Sequence, residues 1–515
     1  MVESETTAYP PQPQINPWRL VPSLYFMEGL PLFVVQTISA TMFISMGVGN
    51  AEMALWTSLI TWPWVVKMLW GPLVDHTETK RGWIKVTQAL IAALIVVAAL
   101  AVTTPIFFPL CLSIFLMLAF LSATHDIAAD GFYLLAVPEN QQANFTGVRS
   151  TAYRLSNIFG NGVIVKIAGA MTDFRIAAAI SWMTALLCAA GVYGLGSFYH
   201  RVSLPVIPAD PRQAPLNLGR IAMRFGQVLL MLASLLIGLQ LLIVTFNLII
   251  GKAVEPVFWF IAGSRADQLA WEGPLGIAIV VASVYSTRDL FRGVGMTDVA
   301  REYFGQRRIA AILAFILFYR FGESMIGKMT GPFLLDSPAK GGLGISLSQF
   351  ADLSGVLGVI ALLTGGIVGG LMIGSYGIKR CIWPMVLALN FPNLLYVWAA
   401  FAKPGYLGAG AVIAVDQFGY GFGFTAYMVY LMFLAQGSPN ATSHYAISTG
   451  LMALGAMLAG AVSGKVQEYF ATTYGALGYA YFFVAVLVLA VPGILTLFFI
   501  PMDKEDMRTA PVDLD

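Results

Sequence analysis

Ten ionisable residues stand inside long apolar stretches of this 515-residue sequence: Glu28, Lys67, Asp126, Asp130, Arg154, Lys166, Arg320, Glu323, Lys328 and Asp416. An ionised side chain at the centre of a bilayer costs at least about 2.5–3.5 kcal/mol on insertion scales, so such groups face a polar interior and find partners. The chemistry open to them is reversible proton binding by the carboxyls and capture of an anion by the cations. Asp126 and Asp130 are four residues apart, hence on one face of a helix, and His125 precedes the first. Two neighbouring, partly desolvated carboxyls take up protons in separated steps. The alternative is a structural clamp with Arg149 or Arg154.

Glu28 lies in Met-Glu-Gly-Leu-Pro near the start of the first apolar run, beside residues that loosen a helix. Arg320 and Glu323, three apart in Tyr-Arg-Phe-Gly-Glu, occupy the comparable run of the second half, with Lys328 beyond them. They either neutralise one another or divide the work, Arg320 holding an anionic substrate through its planar fork and Glu323 exchanging a proton. Lys67 and Lys166 add positive charge to the first half, unless they snorkel to an interface. Asp416 opens a glycine-rich, aromatic segment whose Gln417, Phe418, Tyr420, Phe422 and Tyr427 could stack against a sugar ring or simply pack. The proton-coupling candidates are thus Glu28, Asp126, Asp130, Glu323 and Asp416. The substrate-binding candidates are Lys67, Arg154, Lys166, Arg320, Lys328 and the Gln417–Tyr427 set.

Only membrane-spanning helices can position such residues here. Charged residues make up 11% of the chain and apolar ones 58%, against about 25% charged in a soluble protein, and the mean hydropathy is +0.76. This excludes an ordinary soluble enzyme, a disordered scaffold and a nucleic-acid binder. Runs long enough to span a bilayer fall at 20–47, 53–75, 84–104, 106–136, 143–170 and 176–199, then 225–250 and 271–287, then 309–333, 352–377, 381–402, 407–436, 443–470 and 477–501. The expected fold is an all-α polytopic membrane protein with fourteen spans, six, two and six; twelve results if 225–287 is re-entrant. With the N-terminus inside, eighteen of the 29 Lys and Arg fall in inner loops and six in outer loops, the asymmetry that orients membrane proteins. Both termini are then cytoplasmic. The expected divisions are a tail 1–19, a six-helix bundle 20–199, a linker 200–308 with two additional spans, a second bundle 309–501 and a tail 502–515. Residues 1–17 lack the basic start of a secretory signal. Cys111, Cys188 and Cys381 lie within apolar runs and suggest neither disulfide nor metal site.

The two six-helix sets are related by an internal repeat. Gly71-Pro-Leu-Val-Asp75 followed by Lys80-Arg81 is matched by Gly370-Leu-Met-Ile-Gly374 followed by Lys379-Arg380, glycine and basic pair alike displaced by 299 residues. This pattern resembles the loop signature of the major facilitator superfamily, whose duplicated halves it suits. The second copy has Gly374 where the acid Asp75 stands. Gly71, Asp75, Lys80, Arg81, Gly370, Lys379 and Arg380 are expected to form a cytoplasmic gate. Gly365, Gly366, Gly369 and Gly370 in one span, and Gly419, Gly421 and Gly423 in another, either pack helices closely or let them rock.

More specific segments resemble the AmpG-type permeases of the peptide/acetyl-coenzyme-A transporter branch of that superfamily: Glu28-Gly-Leu-Pro, Lys67-Met-Leu-Trp-Gly-Pro-Leu-Val-Asp75, Arg81-Gly-Trp, Asp126-Ile-Ala-Ala-Asp130, Tyr153-Arg-Leu, Tyr319-Arg-Phe-Gly-Glu-Ser, Lys328-Met-Thr-Gly-Pro-Phe-Leu-Leu-Asp336, Gln417-Phe-Gly-Tyr-Gly-Phe-Gly-Phe-Thr-Ala-Tyr and His444-Tyr-Ala-Ile-Ser-Thr-Gly. The resemblance implies a monomeric, multi-pass protein of the bacterial inner membrane, with the two halves rocking about a central site. It implies import of peptidoglycan turnover products, anhydro-muropeptides or N-acetylmuramic acid-type aminosugars, driven by the proton gradient with no cofactor. The cargo's carboxylates then suit Arg320, Lys328 and Lys166, and its sugar rings Phe418, Tyr420 and Phe422. The 225–308 insertion departs from the best-known permeases. An alternative cargo is an acyl-coenzyme A or another large organic anion. With four histidines, no metalloprotease motif and no phosphate-binding loop, a membrane-embedded enzyme has little catalytic equipment.

Overall fold

The computed structural model describes residues 16–67, 74, 78–137, 139–207, 210, 296–435 and 441–502. Two compact units are present, one comprising Met1–Lys67, Thr79–Pro211 and Gly305–Asp515, the other Met68–Glu78 and Arg212–Phe304. In the second unit the described helix is Met296–Phe304. The two additional spans expected at 225–250 and 271–287, together with Gly71 and Asp75, lie outside the described residues.

The described residues of the first unit form twelve helices in chain order. They are α1 Pro17–Ser45, α2 Asn50–Leu59 continued by Trp62–Val66, α3 Lys80–Ala101, α4 Phe107–Ala136, α5 Glu139–Asn157 continued to Asp173 and α6 Ala178–Ser203. The second half repeats the series with α7 Ile309–Leu335, α8 Leu347–Tyr376, α9 Ile378–Ala402, α10 Tyr406–Ala435, α11 Ala441–Tyr474 and α12 Gly478–Leu495. Each corresponds to one of the expected runs, and α1 begins within the expected 1–19 tail. Among the described residues no strand occurs, as befits segments whose every backbone group must be satisfied away from water.

Local sequence explains the helix ends. Pro17 opens α1 behind Asn16, whose side chain accepts the Trp18 N–H at 3.0 Å. Thr79 caps α3 by accepting the Gly82 N–H at 2.9 Å. Ser346 and Gln349 form a reciprocal capping box at the start of α8. Gly377, at φ 76°, makes the break between α8 and α9 that a side chain would strain.

Three helices carry a widened π-helical turn: Val34–Ile38 in α1, Ile158–Ile164 in α5 and Ala351–Leu357 in α8. The α1 turn follows Pro31, which lacks the N–H that would continue the regular ladder. The other two turns meet where the halves cross. A Cβ on Gly355 would stand 2.4 Å from the Gly162 nitrogen, and one on Gly169 2.5 Å from the Ser348 nitrogen. Backbone therefore touches backbone between α5 and α8. Within the second half, a Cβ on Gly365 would lie 2.1 Å from the Phe418 carbonyl oxygen, and one on Gly421 2.1 Å from that of Leu362. These glycines of α8 and α10 serve close packing, the plainer of their two readings. Gly370 differs: it faces open space.

Gly355→Val is accordingly expected to destabilise the packed halves by about 1–3 kcal/mol, the usual cost of overpacking. Gly370→Val is the matched control. Thermal unfolding of the two purified variants checks this: Gly355→Val should lower Tm, and Gly370→Val should leave it unchanged.

Candidate functional site

The helix starts place Glu28 and Arg320 at equivalent depths, each eleven residues into the first helix of its half (28 minus 17, 320 minus 309). The two halves set unlike charges at these positions, and each charge is surrounded differently.

In the first half, α1, α2, α4 and α5 converge on a carboxylate cluster. Lys67 donates to Asp126 Oδ2 at 3.5 Å. Arg149 donates to Asp130 Oδ1 at 2.6 Å, and Tyr25 donates its hydroxyl to the same oxygen at 2.8 Å. The Arg149 guanidinium also lies 4.2 Å from the centre of the Tyr25 ring and 4.6 Å from that of Tyr133. The two aspartates of the four-residue spacing thus have separate basic partners. For Asp130 the clamp reading holds, and the arginine is Arg149 rather than Arg154. Glu28 is 9% exposed and has neither a hydrogen bond nor an ion pair among the described residues.

His125 points away from this cluster. It belongs to a buried chain in which Gln88 of α3 meets His125 Nε2 and His200 Nδ1 of α6, each at 2.9 Å, while His200 Nε2 meets the Ser23 hydroxyl of α1 at 3.0 Å. Four helices of the first half are joined by side chains that would each be costly to bury alone. Neither Gln88 nor His200 stood out in the sequence.

In the second half, Arg320 donates to Glu323 Oε2 from Nε at 3.1 Å and Nη2 at 2.9 Å. Its Nη2 also donates to the Tyr420 hydroxyl at 2.9 Å, and the guanidinium sits 4.9 Å from the Tyr420 ring centre and 4.7 Å from that of Phe424. The self-neutralising reading of the Arg320–Glu323 pair is the one observed. Asp416 Oδ2 accepts the Tyr396 hydroxyl at 3.2 Å and the Gln417 side-chain amide at 2.9 Å. No cation pairs with it among the described residues.

The remaining cations divide into paired and unpaired. Lys166 donates to Asp352 Oδ2 at 2.5 Å, linking α5 to the π-helical turn of α8. It is therefore a contact between the halves rather than a cargo ligand in this conformation. Arg154 and Lys328 are half-buried, and neither has an anionic partner among the described residues. Arg154 of α5 lies within electrostatic reach of Tyr420 of α10, on the facing half. The Lys328 stem lies beside Gly460, whose Cβ would also meet Ser58 of the first half. Both cations therefore border the seam between the halves.

The aromatic candidates separate as well. Phe418 and Phe422 stack with ring centres 6.0 Å apart, and Tyr420 presents its hydroxyl to Arg320. Tyr427 corrects the expectation: it is fully buried, stacked on Tyr319 at 4.9 Å, with its hydroxyl donated to the Ile316 carbonyl at 2.6 Å.

A second polar centre, not anticipated, joins the halves at the end the charge asymmetry assigns to the outside. Tyr479 at the start of α12 donates to Asp336 Oδ2 at 2.7 Å; Asn50 at the start of α2 donates to the same oxygen at 3.2 Å and to the Tyr479 hydroxyl at 2.8 Å. Asp336 is thus the shared acceptor of a latch between first and second halves. At the opposite end, Arg81 donates from Nε to the Leu204 carbonyl at 2.8 Å and its backbone N–H to Asp210 at 3.3 Å, both within the first half. The Lys80 stem runs over Gly131 of α4, while Lys379 and Arg380 are exposed at the start of α9. In this conformation Lys80 and Arg81 of the expected cytoplasmic gate make contacts on their own side of the molecule.

Comparison with known proteins follows this geometry. No protein-family model matches the sequence. The chain is 23% identical over 509 residues to an uncharacterised protein of Haemophilus influenzae, covering 95% of each chain. It is 22% identical over 484 residues to the anhydromuropeptide permease of Escherichia coli K12, covering 92% of this chain and 77% of that one. Among solved structures, a bacterial homologue of the human lysosomal transporter Spinster, in an inward-facing conformation, superposes with a TM-score of 0.63 at 13% identity, covering 96% and 98% of the two chains. A D-xylose–proton symporter superposes with a TM-score of 0.60 at 11% identity, covering 95% and 98%. The fold is that of the major facilitator transporters. The chain is a multi-span membrane protein with the fold of these transporters, and over 92% of its length it is similar in sequence to an anhydromuropeptide permease.

Asp336→Ala removes the acceptor shared by Asn50 and Tyr479. The expected outcome is faster reaction of a Ser58→Cys thiol, beneath the latch, with a membrane-impermeant reagent applied from outside. Asp352→Asn should give a smaller increase, because a pair as exposed as Lys166–Asp352 contributes at most about 1 kcal/mol.

Proposed function

We propose that the chain is a proton-coupled importer of peptidoglycan turnover products, anhydro-muropeptides or N-acetylmuramic acid-type aminosugars, in the bacterial inner membrane. In this reading both termini are cytoplasmic, the protein works as a monomer, and the proton gradient is its energy source with no cofactor. The observation that carries it is the distribution of unpaired charge. Arg154 from one half and Lys328 from the other border the seam without anionic partners, so an anion held between them would be gripped by both halves at once. A lactyl or peptide carboxylate supplies such an anion. The Tyr420–Phe424 surface around Arg320 offers apolar faces with polar tips, the chemistry that suits a sugar ring. Similarity to anhydromuropeptide permeases over most of the chain supports the same cargo.

Transport then proceeds by alternating access. The outer latch opens, cargo enters and bridges Arg154 and Lys328, and the latch closes above it. Protonation of a buried carboxyl offsets the negative charge that occupied and empty states would otherwise leave in a low-dielectric interior. The inner ends part, and cargo and proton leave to the cytoplasm. Arg149 and Arg320 remain engaged with Asp130 and Glu323 throughout.

Uptake into proteoliposomes with an imposed inward proton gradient tests the reading, using labelled anhydro-muropeptide and free N-acetylmuramic acid in parallel. Accumulation of either is expected. Arg154→Gln and Lys328→Gln should each raise KM by about 10–100-fold, the equivalent of a lost charged hydrogen bond. Inhibition by acyl-coenzyme A with no uptake of either sugar would replace the cargo with another large organic anion.

A further inference from the structure

Buried polar atoms in a folded protein are almost always partnered, and each exception needs a reason. Among the described residues of the first half, all the exceptions but His125 Nδ1 gather in one place. Glu28 Oε2, Asp126 Oδ1, the Ser122 hydroxyl and the Tyr193 hydroxyl are all buried and without hydrogen-bond partners. Ser122 and Asp126 are four residues apart on α4 and share a face. Tyr193 of α6 lies within electrostatic reach of both Asp126 and Glu28. Trp64 Nε1, also unpartnered by hydrogen-bond geometry, is beside Asp126. Helices α1, α2, α4 and α6 therefore turn two carboxyl oxygens, two hydroxyls and an indole N–H toward a common interior.

The charges around this interior do not balance. Every helix packed on Glu28 contributes: Lys67 from α2, Asp126 and Asp130 from α4, Arg149 from α5, with Tyr25 on α1 itself, the Tyr153 phenol of α5, and Tyr193 and the neutral-chain partner His200 on α6. Lys67 is taken by Asp126 and Arg149 by Asp130. Glu28 alone is left over. An ionised carboxylate buried without partner is costly, and removing that cost requires one positive charge. The unused hydroxyls and indole N–H are the groups a small hydrated guest would satisfy.

We propose that Glu28, Asp126, Ser122 and Tyr193 enclose a buried hydrated site that binds a single proton, carried on Glu28, with water linking it to Asp126 Oδ1 and the two hydroxyls. The step is simple: the Glu28 carboxylate gains one proton from the outer aqueous side to become a neutral acid, and later releases that proton to the inner side. No other bond is made or broken. Once the proton has left, Glu28 competes with Asp126 for Lys67, whose contact with Asp126, at 3.5 Å, is the longest of the cluster's ion pairs. Loss of the proton is thereby coupled to a shift of α2 relative to α4. This assignment deepens the proton-coupled reading by naming the carrier, and it stands on the substrate-free protein.

The test uses full-length protein in lipid nanodiscs without cargo. Infrared difference spectra are recorded between acidic and alkaline buffers, with choline or sodium as the only cation. The expected result is a protonated-carboxyl C=O band that disappears on alkalinisation, is absent in Glu28→Gln, and moves in frequency in Tyr193→Phe, which removes only a hydroxyl. Glu468→Gln, an exposed carboxyl paired with Lys465, should leave the band intact. If Glu28→Gln does not fold, the frequency shift in Tyr193→Phe decides. A band that survives Glu28→Gln, or the absence of any titrating band in the unaltered protein, overturns the assignment. A carboxylate change that follows sodium rather than pH overturns it in favour of a sodium site. Because no cargo is used, a Glu28 band together with failed muropeptide uptake would remove the cargo reading and leave this one standing; uptake without the band would do the reverse.

Discussion

The rest of the structure depends on the neutralisation of charge inside the bilayer. A buried ion without a partner is far costlier than a buried ion pair, and even the pair does little better than break even against apolar packing. The mid-membrane charges of this chain are therefore not there for stability. Lys67–Asp126 and Arg149–Asp130 fix the relative positions of α2, α4 and α5 by holding charges that have nowhere else to go, and Arg320–Glu323 neutralises its two charges within α7. What they leave behind is a short remainder: two acids, Glu28 and Asp416, and two cations, Arg154 and Lys328. Function is to be sought in that remainder, since its charges are the ones a proton or an anionic cargo can still satisfy.

The contacts between halves obey a complementary logic. Along α5 and α8 they are made by backbone, glycine against glycine, so the surfaces are smooth and hold few side chains that would have to be extracted if the halves rocked. Specific polar bonds are placed instead near the helix ends, where water can take over their partners when they break. Asn50, Asp336 and Tyr479 form one such lock, and the half-exposed Lys166–Asp352 pair another. A seam that is tight yet smooth, fastened at one rim by replaceable hydrogen bonds, is what alternating access demands. The conformation described is the one with that rim closed.

Much of this was legible in the sequence because it rests on composition and periodicity. The six-and-six helix series follows from run length, and the pairing of Arg320 with Glu323 from their spacing. The choice of Arg149 over Arg154 for Asp130 was not legible, since both lie on α5 and only the helix's rotation selects between them. Lys166 looked like a cargo ligand because nothing local revealed that Asp352, in a different half, would face it. Tyr427 looked like its aromatic neighbours, yet one turn of helix separates a ring on the seam from a ring in the core. The Asn50–Asp336–Tyr479 latch escaped because Asn50 and Tyr479 carry no charge and are 429 residues apart. Long-range polar pairing leaves no local trace.

The two halves repeat in fold but not in charge. At equivalent depth the first half presents an unpaired acid, Glu28, and the second a paired arginine, Arg320. The function proposed above divides along these lines, the proton on Glu28 of the first half and the anion at the seam between Arg154 and Lys328. The second copy of the loop motif has likewise lost its acid, Gly374 standing where Asp75 stands in the first. Duplication supplies two bundles of one fold, and divergence at a few buried positions gives each its own set of charges.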